Sequence, residues 1–125
     1  MGPKLRIILV VEDDVDLRAM YRTALRVAGF FVIEAGDGLQ ALRALDADPP
    51  DLVVLDLGLP TVSGYAVSAE LAAQSHTRRI PVVVVTGTEP QGVLDVDCLL
   101  RKPVDPEILV AAVSKCLAEA ASQNT

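Results

Sequence analysis

Four apolar runs in this chain each end on residue types that phosphoryl chemistry uses. Ile7-Ile8-Leu9-Val10-Val11 leads into Glu12, Asp13 and Asp14, and Leu52-Val53-Val54-Leu55 leads into Asp56. Residues 81–85 lead into Thr86 and Gly87, and Cys98-Leu99-Leu100-Arg101 leads into Lys102 and Pro103. If these runs are parallel strands of one sheet, their carboxyl ends share an edge, and open α/β sheets bind ligands at that edge. Two carboxylates about 4 Å apart repel by roughly 4 kcal/mol at an effective dielectric near 20. Glu12, Asp13 and Asp56, all ionised, therefore call for a cation. A hard divalent ion suits them, and Mg²⁺ takes one or two carboxylates plus waters and a phosphate. Lys102 adds a compact positive charge. Asp56 then has the setting of a nucleophile toward phosphorus, forming an aspartyl phosphate. The metal and Lys102 would neutralise charge developing on the equatorial oxygens, and the Thr86 hydroxyl would donate to one of them. Gly58 and Gly87 are expected to let backbone groups approach closely.

The elements that position these residues follow from periodicity. Short runs rich in Val, Ile and Leu alternate with segments of helical period, which implies βα repeats and a parallel sheet. Strands are expected at about 5–11, 30–34, 51–56, 80–86 and 97–101. A helix at about 14–28 has Asp14 as its N-cap and Gly29 as its C′ residue. It is expected to bury Leu17, Met20, Tyr21, Ala24, Leu25 and Ala28. Further helices are expected at about 38–47, with Leu39, Leu42 and Leu45 inward, and at about 64–75. The last begins at Asp105-Pro106-Glu107, an N-cap, a proline at N1 and a first-turn acid. It runs to about 120 and buries Ile108, Leu109, Ala112, Val113, Cys116 and Leu117. Lys102 follows Thr86 by 16 positions. Two loops of about 2–6 residues each and a strand must fit there, so the fourth helix is expected to be missing or a single turn.

The totals agree with one domain whose core spans about 5–120 of the 125 residues. A hydrophobic share of 51% suits a sheet buried on both faces. Aromatics make up only 3%, with no Trp, which leaves little material for stacking bases. A net charge of -6 repels a phosphate backbone, so no direct nucleic-acid binding is expected. Glu12 interrupts the first apolar stretch, which is too short for a membrane span, and a cytoplasmic protein is the expectation. Cys98 and Cys116 match no metal spacing and are expected to act as small buried hydrophobes.

Taken together, these stretches resemble the receiver domain of two-component response regulators. The motifs are Ile8-Leu9-Val10-Val11-Glu12-Asp13-Asp14, Asp51-Leu52-Val53-Val54-Leu55-Asp56-Leu57-Gly58-Leu59-Pro60, Ser63-Gly64, the 81–87 stretch and Lys102-Pro103. They come in the family's order over nearly the whole chain. The resemblance implies a flavodoxin-like (βα)₅ doubly wound parallel sheet with strand order 2-1-3-4-5. It implies that Asp56 accepts a phosphoryl group from a phosphohistidine on a sensor histidine kinase or histidine phosphotransfer domain, making the protein a signalling phosphoacceptor and not an enzyme acting on other substrates. By position, Asp13 maps to the direct Mg²⁺ ligand, Glu12 to the acid that binds through water, and the Gly58 carbonyl to the backbone ligand. Thr86 maps to the switch hydroxyl and Lys102 to the phosphate-binding lysine, and the Lys102-Pro103 bond resembles one that is often cis. The phase of the first run favours Glu12-Asp13 over Asp13-Asp14 as the acidic pair. Gly58 and Thr88, being small, are expected to admit the hydrolytic water and so to set the phosphoryl lifetime.

Two departures stand out. Three positions before the lysine, where the family usually carries an aromatic residue, stands Leu99. The helix usually found between Thr86 and the last strand is short or absent. Phosphorylation is therefore expected to be retained while the output surface is not the common one. Three other readings compete. Gly36-Asp37-Gly38-Leu39-Gln40-Ala41 fits a dinucleotide fingerprint, but Asp37 would face the pyrophosphate, and a turn before a helix accounts for it. A small-molecule phosphatase of the haloacid dehalogenase type places a second Asp two positions after the nucleophile, where this chain has Gly58. A degenerate receiver acting by protein docking alone is favoured by Leu99 and disfavoured by the complete acidic set. His76 is expected to be a solvated loop residue, and the Arg78-Arg79 pair is too short a basic patch to imply nucleic acid.

Overall fold

The computed structural model describes residues 5–91, 94 and 96–123. Five strands, β1 (Ile7–Val11), β2 (Phe31–Ala35), β3 (Leu52–Leu55), β4 (Val82–Thr86) and β5 (Cys98–Arg101), form one sheet in the order β2-β1-β3-β4-β5. Every pairing is parallel. Four helices, α1 (Val15–Val27), α2 (Gly38–Ala47), α3 (Gly64–Ala73) and α4 (Pro106–Gln123), cover its faces. This is the strand order the motifs implied. Among the described residues there is no helix between β4 and β5, while Gly92, Val93 and Asp95 lie outside them.

Alternation along each strand builds two cores. Ile8, Val10, Leu52, Val54, Val83 and Val85 pack with Tyr21, Leu25, Leu109 and Val113 of α1 and α4. Leu9, Val11, Val53, Leu55, Val82 and Val84 pack with Ala41, Leu45, Val67 and Leu71 of α2 and α3. Successive side chains point to opposite faces, and the central strands are covered on both, which is why they read as unbroken apolar runs. Two acids tie the lower ends of the strands. Ile7 N donates to Asp51 Oδ2 at 2.7 Å, and Val82 N donates to Asp97 Oδ2 at 2.8 Å.

Helix starts follow their caps. Asp14 accepts from the backbone N–H groups of Asp16 and Leu17, Asp37 from Gln40, and Ser63 from Ala66. Asp105 Oδ1 accepts from Glu107 N at 2.9 Å. Gly29 sits at φ +100 just past α1, where a side chain would be strained.

Some expected core positions are on the surface. Met20, Ala28, Leu39 and Ile108 are exposed. The reason is stripe width. In α4 the buried set is Leu109, Val113, Cys116 and Leu117, at helical spacing, and Ile108 lies one step (about 100°) off it. In α2, Gly38 turns inward against Val62, so Leu39 turns out. In α1, Tyr21 and Leu25 hold the centre and Met20 falls off to the side, while Ala28 is the C-cap, past the last helical turn.

Glycine roles also differ from expectation. A Cβ on Gly58 or Gly87 would meet nothing nearer than 3.9 Å. The close approaches belong to Gly38 and Gly64. A Cβ on Gly38 would fall 1.9 Å from the Val62 carbonyl oxygen. One on Gly64 would fall 2.2 Å from the Asp56 carbonyl oxygen and 2.5 Å from Leu57 Cα.

Candidate functional site: an acidic cluster at the carboxyl edge

The β1, β3, β4 and β5 ends bring their residues to one place. Asp56 N bonds to Val11 O at 3.0 Å and Glu12 N to Ala35 O at 3.1 Å, so backbone ladders carry both acids to the edge in register. Lys102 N bonds to Thr86 O at 2.9 Å, and the Lys102-Pro103 bond is cis, as the motif implied. Glu12 is 1% exposed and Asp56 6%, while Asp13 faces solvent. One carboxylate oxygen from each of Glu12, Asp13 and Asp56 lies within 4.8 Å of the others. The Lys102 ammonium stands 2.6 Å from Glu12 Oε1 and 3.3 Å from Asp56 Oδ2.

Electrostatics follow from this crowding. Burial raises the Glu12 carboxyl pKa to about 7; the Lys102 bond opposes the rise and the Asp56 charge adds to it. Burial alone would make the Lys102 ammonium easier to deprotonate, but its bond to Glu12 and the charges of Asp56 and Glu12 hold it above its ordinary value. Asp14 N donates to Glu12 Oε2 at 3.2 Å, and Gly58 N donates to Asp56 Oδ1 at 3.1 Å. The Thr86 hydroxyl is held elsewhere: it accepts from Thr88 N at 3.2 Å and lies 3.3 Å from the Thr88 hydroxyl.

Several residues to which the sequence assigns no site role also serve the site. Arg18 Nη1 donates to the Glu12 carbonyl at 2.9 Å, and Arg18 and Arg22 both pair with Glu34, which fixes α1 against β2. Gly64 packs on the backbone that carries Asp56. Tyr21 is 1% exposed, and its hydroxyl feels the charges of Lys102, Glu12, Asp56 and Asp14. Along the rim, Glu89 and Arg101 form a two-armed ion pair, and Gln91 N donates to the Tyr65 hydroxyl at 2.9 Å. No spacing rule announces these contacts, because each depends on how separate elements pack against one another.

The other motifs resolve into structure. Asp37 caps α2 and Gly36 N bonds to Gln40 Oε1 at 2.8 Å, so the glycine pair forms a turn. His76 is an exposed residue 3.9 Å from Asp46. Cys116 is buried and Cys98 half-buried, both free, and burial pushes the Cys116 thiol up to about 11.

The model of the response regulator receiver domain matches residues 8–114. The chain belongs to this family. The receiver is 41% identical over 112 residues to the DNA-binding response regulator MtrA of Mycobacterium tuberculosis, covering 85% of this chain and 48% of that protein. It is 34% identical over 120 residues to the probable transcriptional regulator ycf27 of Porphyridium aerugineum, covering 88% of this chain and 47% of that one. The chain thus spans about half the length of these curated relatives. Among solved structures, the receiver domain of a sensor histidine kinase from Pseudomonas aeruginosa, with a magnesium ion coordinated in its active-site cleft, superposes with a TM-score of 0.84 at 27% identity, covering 92% of this chain and 99% of that one. The chemotaxis response regulator CheY4 of Vibrio cholerae shares the fold at TM-score 0.84 and 24% identity, covering 90% and 99%. Among the described residues of this receiver, no helix is long and apolar enough to cross a membrane.

Proposed function

We propose that this receiver is a working phosphoacceptor in which Asp56 takes a phosphoryl group from a phosphohistidine on a sensor histidine kinase or histidine phosphotransfer domain. The observation that supports this most is the buried Asp56 carboxylate, flanked by a lysine 3.3 Å away and by two further carboxylates within 4.8 Å. Three clustered acids against one nearby ammonium leave a negative excess that a hard cation relieves, so the residues fit Mg²⁺. Glu12, Asp13, Asp56 and the Gly58 carbonyl are the proposed holders. When bound, the ion would supply compact positive charge beside the phosphoryl oxygens.

The chain's own residues account for the rest. An Asp56 carboxylate oxygen attacks phosphorus. The N–P bond of the phosphohistidine breaks, its electron pair goes to the leaving imidazole, and an O–P bond forms. Lys102 shifts from the carboxylates to a phosphoryl oxygen and neutralises charge there. The Thr86 hydroxyl gives up its Thr88 bonds to donate to another phosphoryl oxygen. Gly58 N orients Asp56 through its 3.1 Å bond. The net charge of -6 sets this receiver against direct contact with a nucleic-acid backbone.

The alternative, a degenerate receiver that acts by docking alone, has Leu99 in its favour: it is 38% exposed and has no hydrogen-bonding group. Incubation with Mg²⁺ and acetyl phosphate followed by intact mass measurement separates the two. An added phosphoryl mass that is lost in Asp56→Asn supports the phosphoacceptor. No added mass, or the same mass on Asp56→Asn, overturns it.

A further inference from the structure

Among the described residues, two buried side-chain oxygens have no partner other than an ammonium: Glu12 Oε1, an acceptor, and the Tyr21 hydroxyl, a donor. Glu12 Oε1 has the Lys102 ammonium beside it at 2.6 Å as a charge partner. The Tyr21 hydroxyl has none. Tyr21 packs from α1 among Ile8, Val10 and Val104, the last only two residues beyond Lys102. Glu12 continues the alternation of Ile8 and Val10, which turns toward the α1 layer. A buried hydroxyl without a partner is a cost that a phenylalanine would not carry, so the oxygen is unexplained by packing.

This inference rests on the phosphoacceptor reading. In the free protein Lys102 serves both carboxylates. Once it turns to a phosphoryl oxygen, Glu12 Oε1 loses the lysine beside it while still buried. We propose that Tyr21 is a positioning residue of the phosphoryl site: its hydroxyl donates to Glu12 Oε1, directly or through one water, when Lys102 moves to the phosphoryl group. The hydroxyl is idle in the free state and engaged in the phosphorylated one, so it biases the equilibrium by differential interaction. It would supply on α1 a polar aromatic contact that Leu99 cannot make on β5.

The test uses the full chain with Mg²⁺ and beryllium fluoride, a tetrahedral mimic of the phosphoryl group. Wild type, Tyr21→Phe and Asp56→Asn are titrated, and the free proteins are melted. Wild type should saturate and Asp56→Asn should not. Tyr21→Phe should need about 3–10-fold more mimic, while its free form melts at or above the wild-type temperature. In protein labelled at tyrosine Cζ, the Tyr21 resonance should shift on saturation. Wild-type affinity in Tyr21→Phe overturns the inference and leaves the phosphoacceptor standing. So does a free Tyr21→Phe that melts several degrees lower, since the hydroxyl would then already have a partner. A wild type that binds no mimic overturns the phosphoacceptor reading and this inference with it.

Discussion

The Lys102 ammonium lies closer to Glu12, at 2.6 Å, than to Asp56, at 3.3 Å. The lysine therefore spans the two most buried acids of the edge and compensates both. Removing it should cost catalysis more than folding, because the raised Glu12 pKa lets that carboxyl take up a proton instead of remaining an unpaired charge. Lys102→Met is expected to accept phosphoryl groups from acetyl phosphate roughly 10²-fold more slowly. A mass-spectrometric time course checks this; a rate within twofold of wild type would remove Lys102 from the mechanism.

The Glu12 carboxyl gives a pH signature in metal-free protein. Its pKa is about 7 folded against an ordinary 4.5, so the folded state holds an extra proton between these values. Stability from this group is then fully present below about 4.5 and is lost as pH rises toward 7. The loss is at most about 3 kcal/mol. Urea titrations at stepped pH should show the decline, and Glu12→Gln should flatten it. An equal decline in Glu12→Gln would assign it to another group.

Gly64 should matter more than Gly58. A Cβ at Gly64 meets backbone at 2.2 and 2.5 Å, which cannot yield without moving the Asp56 segment. Gly64→Ala is expected to destabilise by about 2–4 kcal/mol and to slow phosphorylation. Gly58→Ala, with its nearest neighbour at 3.9 Å, should stay within about 1 kcal/mol of wild type. Denaturant midpoints of the two variants, read side by side, decide the order.

Phosphorylation should be felt mainly outside the β4–β5 face. Leu99 offers no hydrogen bond, and no helix lies between β4 and β5 among the described residues. Amide spectra of phosphorylated minus free protein are expected to change most across residues 12–21 and 56–64. Largest changes across 88–110 would show that the common output face is in use after all.

The sequence by itself determined the sheet and the residues at its edge. Apolar runs of strand length that alternate with helical segments pack as parallel strands buried on both faces, and that arrangement carries Glu12, Asp13, Asp56, Thr86 and Lys102 to the same side. Local caps such as Asp14, Asp105 and Gly29 were equally legible, since each acts within three residues of itself. Tertiary structure decided everything that depends on what faces a side chain across the fold. Periodicity marked an apolar stripe on each helix but not its width, so Met20, Leu39 and Ile108 turned out to face solvent. Glycine spacing could not tell that Gly38 and Gly64, not Gly58 and Gly87, are the ones pressed against backbone. Nor could composition tell that Tyr21, buried as deeply as a core leucine, would leave its hydroxyl without a hydrogen-bond partner. It does so only because α1, β1 and the Lys102 loop, far apart in the chain, close around the same few ångströms of desolvated space.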